Sequence, residues 1–320
     1  MLAALATSTR HIGLGATVST TYSDPFTVAR AFASLDFISG GRAAWNAVTT
    51  SNPVIGANFG TAHSDHARRY EMAGEFVDVV KALWDGWADD AVVADRTSGL
   101  YIDAHKVRAI DHEGEFFKVK GPLNISRSPQ GQPVVLQAGG SEAGLQMAAR
   151  TADVAFSVVQ DIEEARASYA DLKKRLPMFG RRPEEVTVLP GVMPVVGRTD
   201  KEAREKLNTL QGYIGDGKAM AVLSERLGQD FSGYDLDAPV PDLELPDTYH
   251  AFTRVLLSKA RREQMTLRDL YSLTAAARGH WVICGSPETI ANTLQKWFET
   301  RAADGFNVTV RRTHLPASSR

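Results

Sequence analysis

The 320-residue chain has the composition of a globular protein, with 43% apolar and 23% charged residues. Its formal net charge of −2 gives no reason to expect nucleic acid or an anionic membrane as a partner. No apolar run reaches the roughly 18 residues of a transmembrane helix, and the first residues lack the basic flank of a signal peptide, so a cytoplasmic location is expected. The single cysteine, Cys284, excludes an internal disulfide and a cysteine metal cluster, and no metal site is predicted.

The chain repeats one order of elements: an apolar strand, a polar strand end and an amphipathic helix. Predicted strands lie at 11–19, 43–49, 133–137, 153–159, 186–196 and 305–310. Predicted helices lie at 2–9, 25–39, 66–87, 142–152, 162–176, 200–214, 267–277 and 290–298. Because no hairpin order interrupts the series, the pattern is typical of a parallel sheet with crossover helices.

This order favours a single α/β domain over residues 1–320, a (β/α)8 TIM barrel. A Rossmann fold is disfavoured because no strand carries a dinucleotide-binding fingerprint. Residues 88–130 and 215–265 interrupt the pattern and are predicted to be excursions, the second an irregular insertion or lid rich in proline and aspartate. Residues 279–286 are interpreted as a loop that leads into the last helix. The remainder accounts for about six of the eight βα units of a complete barrel.

A strand-to-helix turn near the middle of the chain is the best candidate for a ligand site. The strand at 133–137 stops at Gly139 and Gly140, and Ser141 follows at the N-cap position of a helix. Free backbone N–H groups and the positive end of the helix then point at one place, which favours phosphate. A tight turn without a ligand fits the same spacing, because the motif is neither a Walker loop nor a GxGxxG fingerprint.

Four long segments resemble one enzyme family. They are STTYSDPFTVARAFASLDFISGGRAAWNAVTTS (19–51), HARRYEMAGEFVDVVKALWDGW (66–87), QAGGSEAG (137–144) and residues 279–308. All are similar to the nitrilotriacetate monooxygenase, dibenzothiophene-sulfone monooxygenase and pristinamycin synthase branch of the bacterial-luciferase-like flavin enzymes. The resemblance implies a luciferase-like (β/α)8 barrel that binds reduced FMN (FMNH2) from a separate NAD(P)H:flavin reductase. With O2, such an enzyme oxygenates a small organic, in some cases xenobiotic, substrate. We also expect a homo-oligomer, a dimer or tetramer.

The resemblance also implies which residues hold the flavin. Gly139, Gly140 and Ser141 match the family's phosphate-binding turn, and His66 and Tyr70 match its second flavin clamp. Thr17 matches a position under the flavin ring. Asn46 and Thr49 lie at the end of the next strand, towards the same place. Asn46 and Thr49 rank below the others. Each has a structural alternative: His66 as a surface helix residue, Tyr70 as a packing residue, Thr17 and Thr49 as ordinary strand residues, and Asn46 as a hydrogen-bonded core amide. No catalytic side chain is assigned, because the cofactor carries the oxygen chemistry.

The family pattern has two βα units before the position of Leu2 and a helical segment after the last residues of this chain. Three explanations are compatible with this difference: a shortened gene model, a degenerate paralogue, or a protein completed by a partner. Two functional hypotheses follow, an active two-component monooxygenase and a non-catalytic flavin-binding paralogue or subunit. A third hypothesis, a deazaflavin-dependent oxidoreductase that transfers hydride, is disfavoured by the match to the nitrilotriacetate branch.

Overall fold

The computed structural model describes residues 1–213, 216–227, 229–242, 251–277 and 280–309. They form parts of two compact units, Met1–Ala155 and Phe156–Arg320, and the boundary falls within one strand. The single domain over 1–320 stays a prediction.

The first unit contains a parallel sheet with helices after its strands. Its elements are α1 (Leu2–Ser8), β1 (Leu14–Ser19), α2 (Pro25–Ser39), β2 (Ala43–Val48), α3 (His66–Trp84), β3 (His112–Glu113), β4 (Lys118–Val119), β5 (Val134–Ala138) and α4 (Glu142–Thr151). The strands β1, β2 and β5 lie side by side and parallel, with Thr17 beside Asn46 and Asn46 beside Leu136. The predicted crossover connections are therefore confirmed here.

Side-chain caps explain where the helices of this unit begin. Asp24 accepts a hydrogen bond from the Thr27 backbone N–H at the start of α2, and Asp65 does the same for Arg68 at the start of α3. The helix α2 ends at Gly40, whose φ of 66° is left-handed. The helix α3 ends at Trp84, three residues before its predicted end.

The core of the first unit lies on one face of the sheet. Trp45 of β2 is fully buried and contacts three aromatic rings, those of Phe32, Phe76 and Trp84. Because side chains alternate along a strand, Asn46 points to the opposite face, which α2 and α3 do not cover. The helices thus bury the side chains on one face of the sheet. The side chains on the opposite face, near the strand ends, remain available for a functional site.

The excursion at 88–130 is anchored to α3 by one carboxylate. Glu75 accepts hydrogen bonds from His112 Nε2 (2.9 Å) and from the backbone N–H groups of Phe116 (3.0 Å) and Phe117 (2.9 Å). Desolvation alone would raise the pKa of Glu75, but these hydrogen bonds outweigh it and the pKa lies below its usual value. The excursion contains the short antiparallel pair β3–β4, so the strand-like residues 115–119 form less strand than their sequence suggests.

The strand β6 (Val154–Ser157) contains the boundary, and the second unit follows it. Its elements are α5 (Ile162–Arg175), β7 (Thr187–Val196), α6 (Asp200–Gly212), α7 (Asp216–Leu227), α8 (Ala251–Arg262), α9 (Leu267–Ala277), β8 (Trp281–Gly285), α10 (Pro287–Glu299) and β9 (Asn307–Val308). Both β8 and β9 pair in parallel with β7. No helix in the described part of the chain is long and apolar enough to cross a membrane.

Two predictions for the second unit are wrong. The loop interpretation of 279–286 fails because Trp281–Gly285 is a strand paired with β7. A buried parallel strand is a continuous apolar run without alternation, so its period gave no indication. The irregular segment predicted at 215–265 contains α7 and α8, whose buried leucines pack with Phe231 in a core of their own. The proline-rich stretch between them concealed this helical character, and its residues 243–250 lie outside the described residues.

Candidate functional site

The turn between β5 and α4 is a backbone cradle that has no room for side chains. A Cβ on Gly144 would lie 3.0 Å from the Gly139 Cα, and a Cβ on Gly139 would lie 3.1 Å from the Gly144 Cα. Ser141 caps α4, and its Oγ accepts a hydrogen bond from the Gly144 backbone N–H (3.2 Å). Gly140, between them, is exposed. The first turn of α4 therefore presents backbone groups and the positive end of the helix to the outside.

One side chain of α3 reaches this cradle, and a second lies beside it. The Tyr70 hydroxyl lies 3.1 Å from the position that a Cβ would take on either Gly139 or Gly144. The exposed His66 ring lies beside Tyr70, with 4.8 Å between the ring centroids. The residues of the predicted phosphate clamp are thus brought together from two separate helices. A phenol hydroxyl, a serine hydroxyl and a helix N-terminus are all donors, and this donor set fits a phosphate group.

The two predicted strand residues Thr17 and Asn46 form a second group. Asn46 Nδ2 donates a hydrogen bond to Thr17 Oγ1 (3.0 Å), across the β1–β2 pair. Thr49 is half-buried just after β2, and its carbonyl accepts from Thr21 Oγ1 (2.8 Å). Among the described residues no hydrogen bond joins this group to His66 or Tyr70. A single ligand would contact both groups only if it reached from the cradle to the ends of β1 and β2.

Sequence reasoning did not single out several residues around these strand ends. Thr50 has a φ of +41°, a strained value for a β-branched residue, and its hydroxyl donates to Ser19 Oγ (2.7 Å). Tyr22 stacks on Phe59 with 4.8 Å between centroids, and its hydroxyl is hydrogen-bonded to His63 Nδ1 (2.7 Å). The polar residues that follow β1 and β2 in the sequence were the only sign that these side chains could belong to a site. Their pairing depends on the strand register.

One charged residue at this edge is buried. Arg69, in the first turn of α3, is only 6% exposed, and its Nη1 donates to the Ser64 carbonyl. Partial desolvation of His63, followed by the positive charge of Arg69, lowers the pKa of that imidazole below its ordinary value. Both effects favour the uncharged form of the His63 imidazole beside the guanidinium of Arg69.

Comparisons with known proteins identify the family of the chain. The model of the luciferase-like monooxygenase family matches residues 1–304. N-acetyl-S-(2-succino)cysteine monooxygenase of Bacillus subtilis (strain 168) is 44% identical over 96% of this chain and 71% of its own length. Nitrilotriacetate monooxygenase component A of Aminobacter aminovorans is 44% identical over 96% and 69%. The crystal structure of DmoA from Hyphomicrobium sulfonivorans superposes with a TM-score of 0.85 at 32% identity, covering 96% of this chain and 65% of that one. The predicted family and the predicted luciferase-like barrel class are confirmed.

Proposed function

Because the chain belongs to the luciferase-like monooxygenase family, we propose that it is an FMN-dependent monooxygenase that oxygenates a small organic substrate. The cradle of Gly139, Gly144 and the Tyr70 hydroxyl carries this proposal, since the close approach of the two glycines brings a phenol donor to the start of a helix, where a phosphate is favoured. His66 and Ser141 complete the phosphate clamp. When bound, reduced FMN supplies the reaction with O2 that the protein's own side chains lack.

In this proposal the protein binds, orients and shields the flavin. Thr17 and Asn46 lie under the isoalloxazine, where the hydrogen bond between them fixes both side chains. Thr49 borders the same place. The rigid β1–β2 pair then holds the ring relative to the phosphate, which limits the geometries in which a substrate can approach.

The reduced flavin comes from a separate NAD(P)H:flavin reductase, as the designation "component A" of one relative suggests. The two relatives at 44% identity are named for compounds that carry several carboxylates. We therefore place carboxylate-bearing organic molecules first among the substrates to assay. The cytoplasmic location and the dimeric or tetrameric assembly remain predictions from the sequence.

The first test is calorimetric titration of the purified chain with FMN and, separately, with riboflavin, which lacks the phosphate. We expect FMN to bind more tightly than riboflavin, and the double variant Ser141→Ala/Tyr70→Phe to remove most of that difference. Gly212→Ala is the matched control, since a Cβ there meets nothing within 4 Å. Equal affinities for the two flavins in the wild-type chain would contradict the phosphate clamp.

The second test separates an active enzyme from a flavin-binding paralogue. The chain is combined with FMN, a flavin reductase, NADH and isotope-labelled O2, with nitrilotriacetate and N-acetyl-S-(2-succino)cysteine as trial substrates. Labelled oxygen in a product would support the monooxygenase. Flavin binding without labelled product from a panel of such acids would favour the non-catalytic alternative.

A further inference from the structure

Arg69 occupies a position that normally belongs to a hydrophobic residue. It lies one helical turn before Ala73 and two turns before Phe76, both fully buried, and Phe76 packs on Trp45 of β2 with 5.8 Å between centroids. Arg69 is therefore on the sheet-facing side of α3, but beyond Trp45, towards the end of β2. In parallel α/β folds the C-terminal strand ends are the edge at which ligands bind.

The guanidinium of Arg69 is only partly paired. Nη1 donates to the Ser64 carbonyl, whereas the buried Nε has no acceptor among the described residues. Nη2 makes no hydrogen bond within the described part of the chain, and no carboxylate there lies within ion-pair distance of Arg69. The Nε–H and Nη2–H fork, the edge that matches a planar oxyanion, is thus left over.

Arg42 shows how the same chain satisfies a structural guanidinium. Its nitrogens donate to the carbonyls of Ser39, Ile12, Ala6 and Thr9, at 2.7, 2.6, 2.9 and 3.0 Å. Arg42 binds α1, α2 and the start of β1 together through these contacts. Arg69, which is more deeply buried, has one such contact. A buried charge without a counter-charge is strongly unfavourable unless a ligand completes it.

We propose that Arg69 is the cation that binds an oxyanion of a ligand held at the ends of β1 and β2, through its Nε/Nη2 fork. This inference rests on the proposed function, because it places the anion on the flavin or its substrate. The anion is either the flavin phosphate or a substrate carboxylate. Tyr22 and His63, hydrogen-bonded to each other beside Arg69, form the polar rim of this anion site.

The test compares Arg69→Met and Arg69→Lys with two controls in thermal unfolding and in calorimetry. Arg68→Met changes the exposed neighbour, which pairs with Glu71 and Glu115, and Arg42→Met removes the structural guanidinium. We expect Arg42→Met to lower the Tm, and Arg69→Met to keep or raise it, because a charge without a counter-ion is removed. Arg69→Lys keeps the charge but loses the fork.

Each variant is titrated with FMN, with riboflavin and, after loading with FMN, with nitrilotriacetate. A drop of about 10- to 100-fold in FMN affinity with unchanged riboflavin affinity in Arg69→Met would support the inference and identify the phosphate. Unchanged FMN affinity with a similar drop for nitrilotriacetate would support it and identify a carboxylate. For the ligand that Arg69→Met binds more weakly, the affinity of Arg69→Lys should lie between those of wild type and Arg69→Met.

Two results would overturn the inference alone. One is unchanged affinity for every ligand in Arg69→Met beside a wild type that binds FMN. The other is a fall in Tm like that of Arg42→Met with equal losses for all ligands, which would make Arg69 a structural residue. Failure of the wild-type chain to bind either flavin would overturn the proposed function and this inference together.

Discussion

Two strand-to-helix corners of this chain share a Gly-Ser pair at the start of the helix but face different groups. In one, β5 leads through Gly139 and Ser141 into α4; in the other, β8 leads through Gly285 and Ser286 into α10. Each serine caps its helix by accepting a backbone N–H three residues on, at 3.2 Å. The sequence of a corner therefore determines the cap but does not determine what the helix end binds.

The difference comes from elsewhere in the chain. At the α10 corner the Asp200 carboxylate accepts a hydrogen bond from the Ser286 backbone N–H (2.7 Å), so the protein supplies its own anion. At the α4 corner the Tyr70 hydroxyl, a donor, lies against Gly139 and Gly144. A helix end that meets an internal carboxylate is structural, whereas one surrounded by donors is suited to an external anion.

The largest effect is expected when a side chain is added to a tightly packed glycine at each corner. In Gly144→Ala the new Cβ meets the Gly139 backbone at 3.0 Å and the Tyr70 hydroxyl at 3.1 Å, so we expect the variant to lose FMN binding and about 1–3 kcal/mol of unfolding free energy. Gly285→Ala meets Thr289 Cγ2 at 2.9 Å and should lose stability only. Titration and denaturant unfolding of both variants check this. Normal FMN affinity in Gly144→Ala would remove the distinction between the corners.

Next in size is Tyr70→Phe, which removes the donor and keeps the ring. We expect FMN affinity to fall roughly 10- to 100-fold, because a hydrogen bond to a charged phosphate is lost, while riboflavin affinity stays the same. Flavin fluorescence quenching measures both ligands. An equal loss for the two would show that the hydroxyl contacts another part of the flavin.

Asp200→Asn tests the corner that carries its own anion. Hydrogen bonds from the Ser286 backbone and then from the Thr289 side chain lower the pKa of Asp200, so its stabilisation is full above the unfolded-state pKa of about 3.9 and is lost as the pH falls through the lower folded-state pKa. The variant should have a lower Tm than wild type at pH 7, and the difference should shrink in acid. FMN affinity should not change. A pH-independent difference in Tm would contradict the charge-based explanation.

The smallest expected effect is shared by both corners. Ser141→Ala and Ser286→Ala each lose an N-cap, which costs about 1 kcal/mol of unfolding free energy. Only Ser141→Ala should also weaken FMN binding, since its hydroxyl belongs to the proposed clamp. Paired unfolding and titration experiments measure the two effects separately. Weaker FMN binding in Ser286→Ala would mean that the loss of a cap acts on the site indirectly.

Local features of the chain were predictable because local chemistry determines them. The cap of α4 by Ser141, the proline start of α2 and its Gly40 end follow from preferences that act within a few residues. The parallel order of β1 and β2 follows from the strand–helix rhythm. The meeting of Tyr70 with Gly139 was implied only by family resemblance, because residues distant along the chain must be brought together by α3 and α4 packing.

Other features depend on tertiary contacts that leave no trace in periodicity. The residues three and four positions from Arg69 along α3 do not distinguish it from a surface arginine. Only the packing shows that Arg69 is buried without a counter-ion. Thr50 looks like any polar residue after a strand until its backbone is seen to be left-handed. The strand Trp281–Gly285 lacks alternation because both of its faces are partly covered.

The aromatic cluster around Trp45 has a spectroscopic consequence. The indole is sealed from water among Phe32, Phe76 and Trp84, so its emission should be shifted to shorter wavelength. The next residue along β2 is Asn46, on the face proposed to lie under the isoalloxazine. A bound oxidised flavin absorbs in the range where an indole emits, which makes Trp45 a built-in energy-transfer donor. The chain thus carries its own label for flavin occupancy, readable at protein concentrations too low for calorimetry.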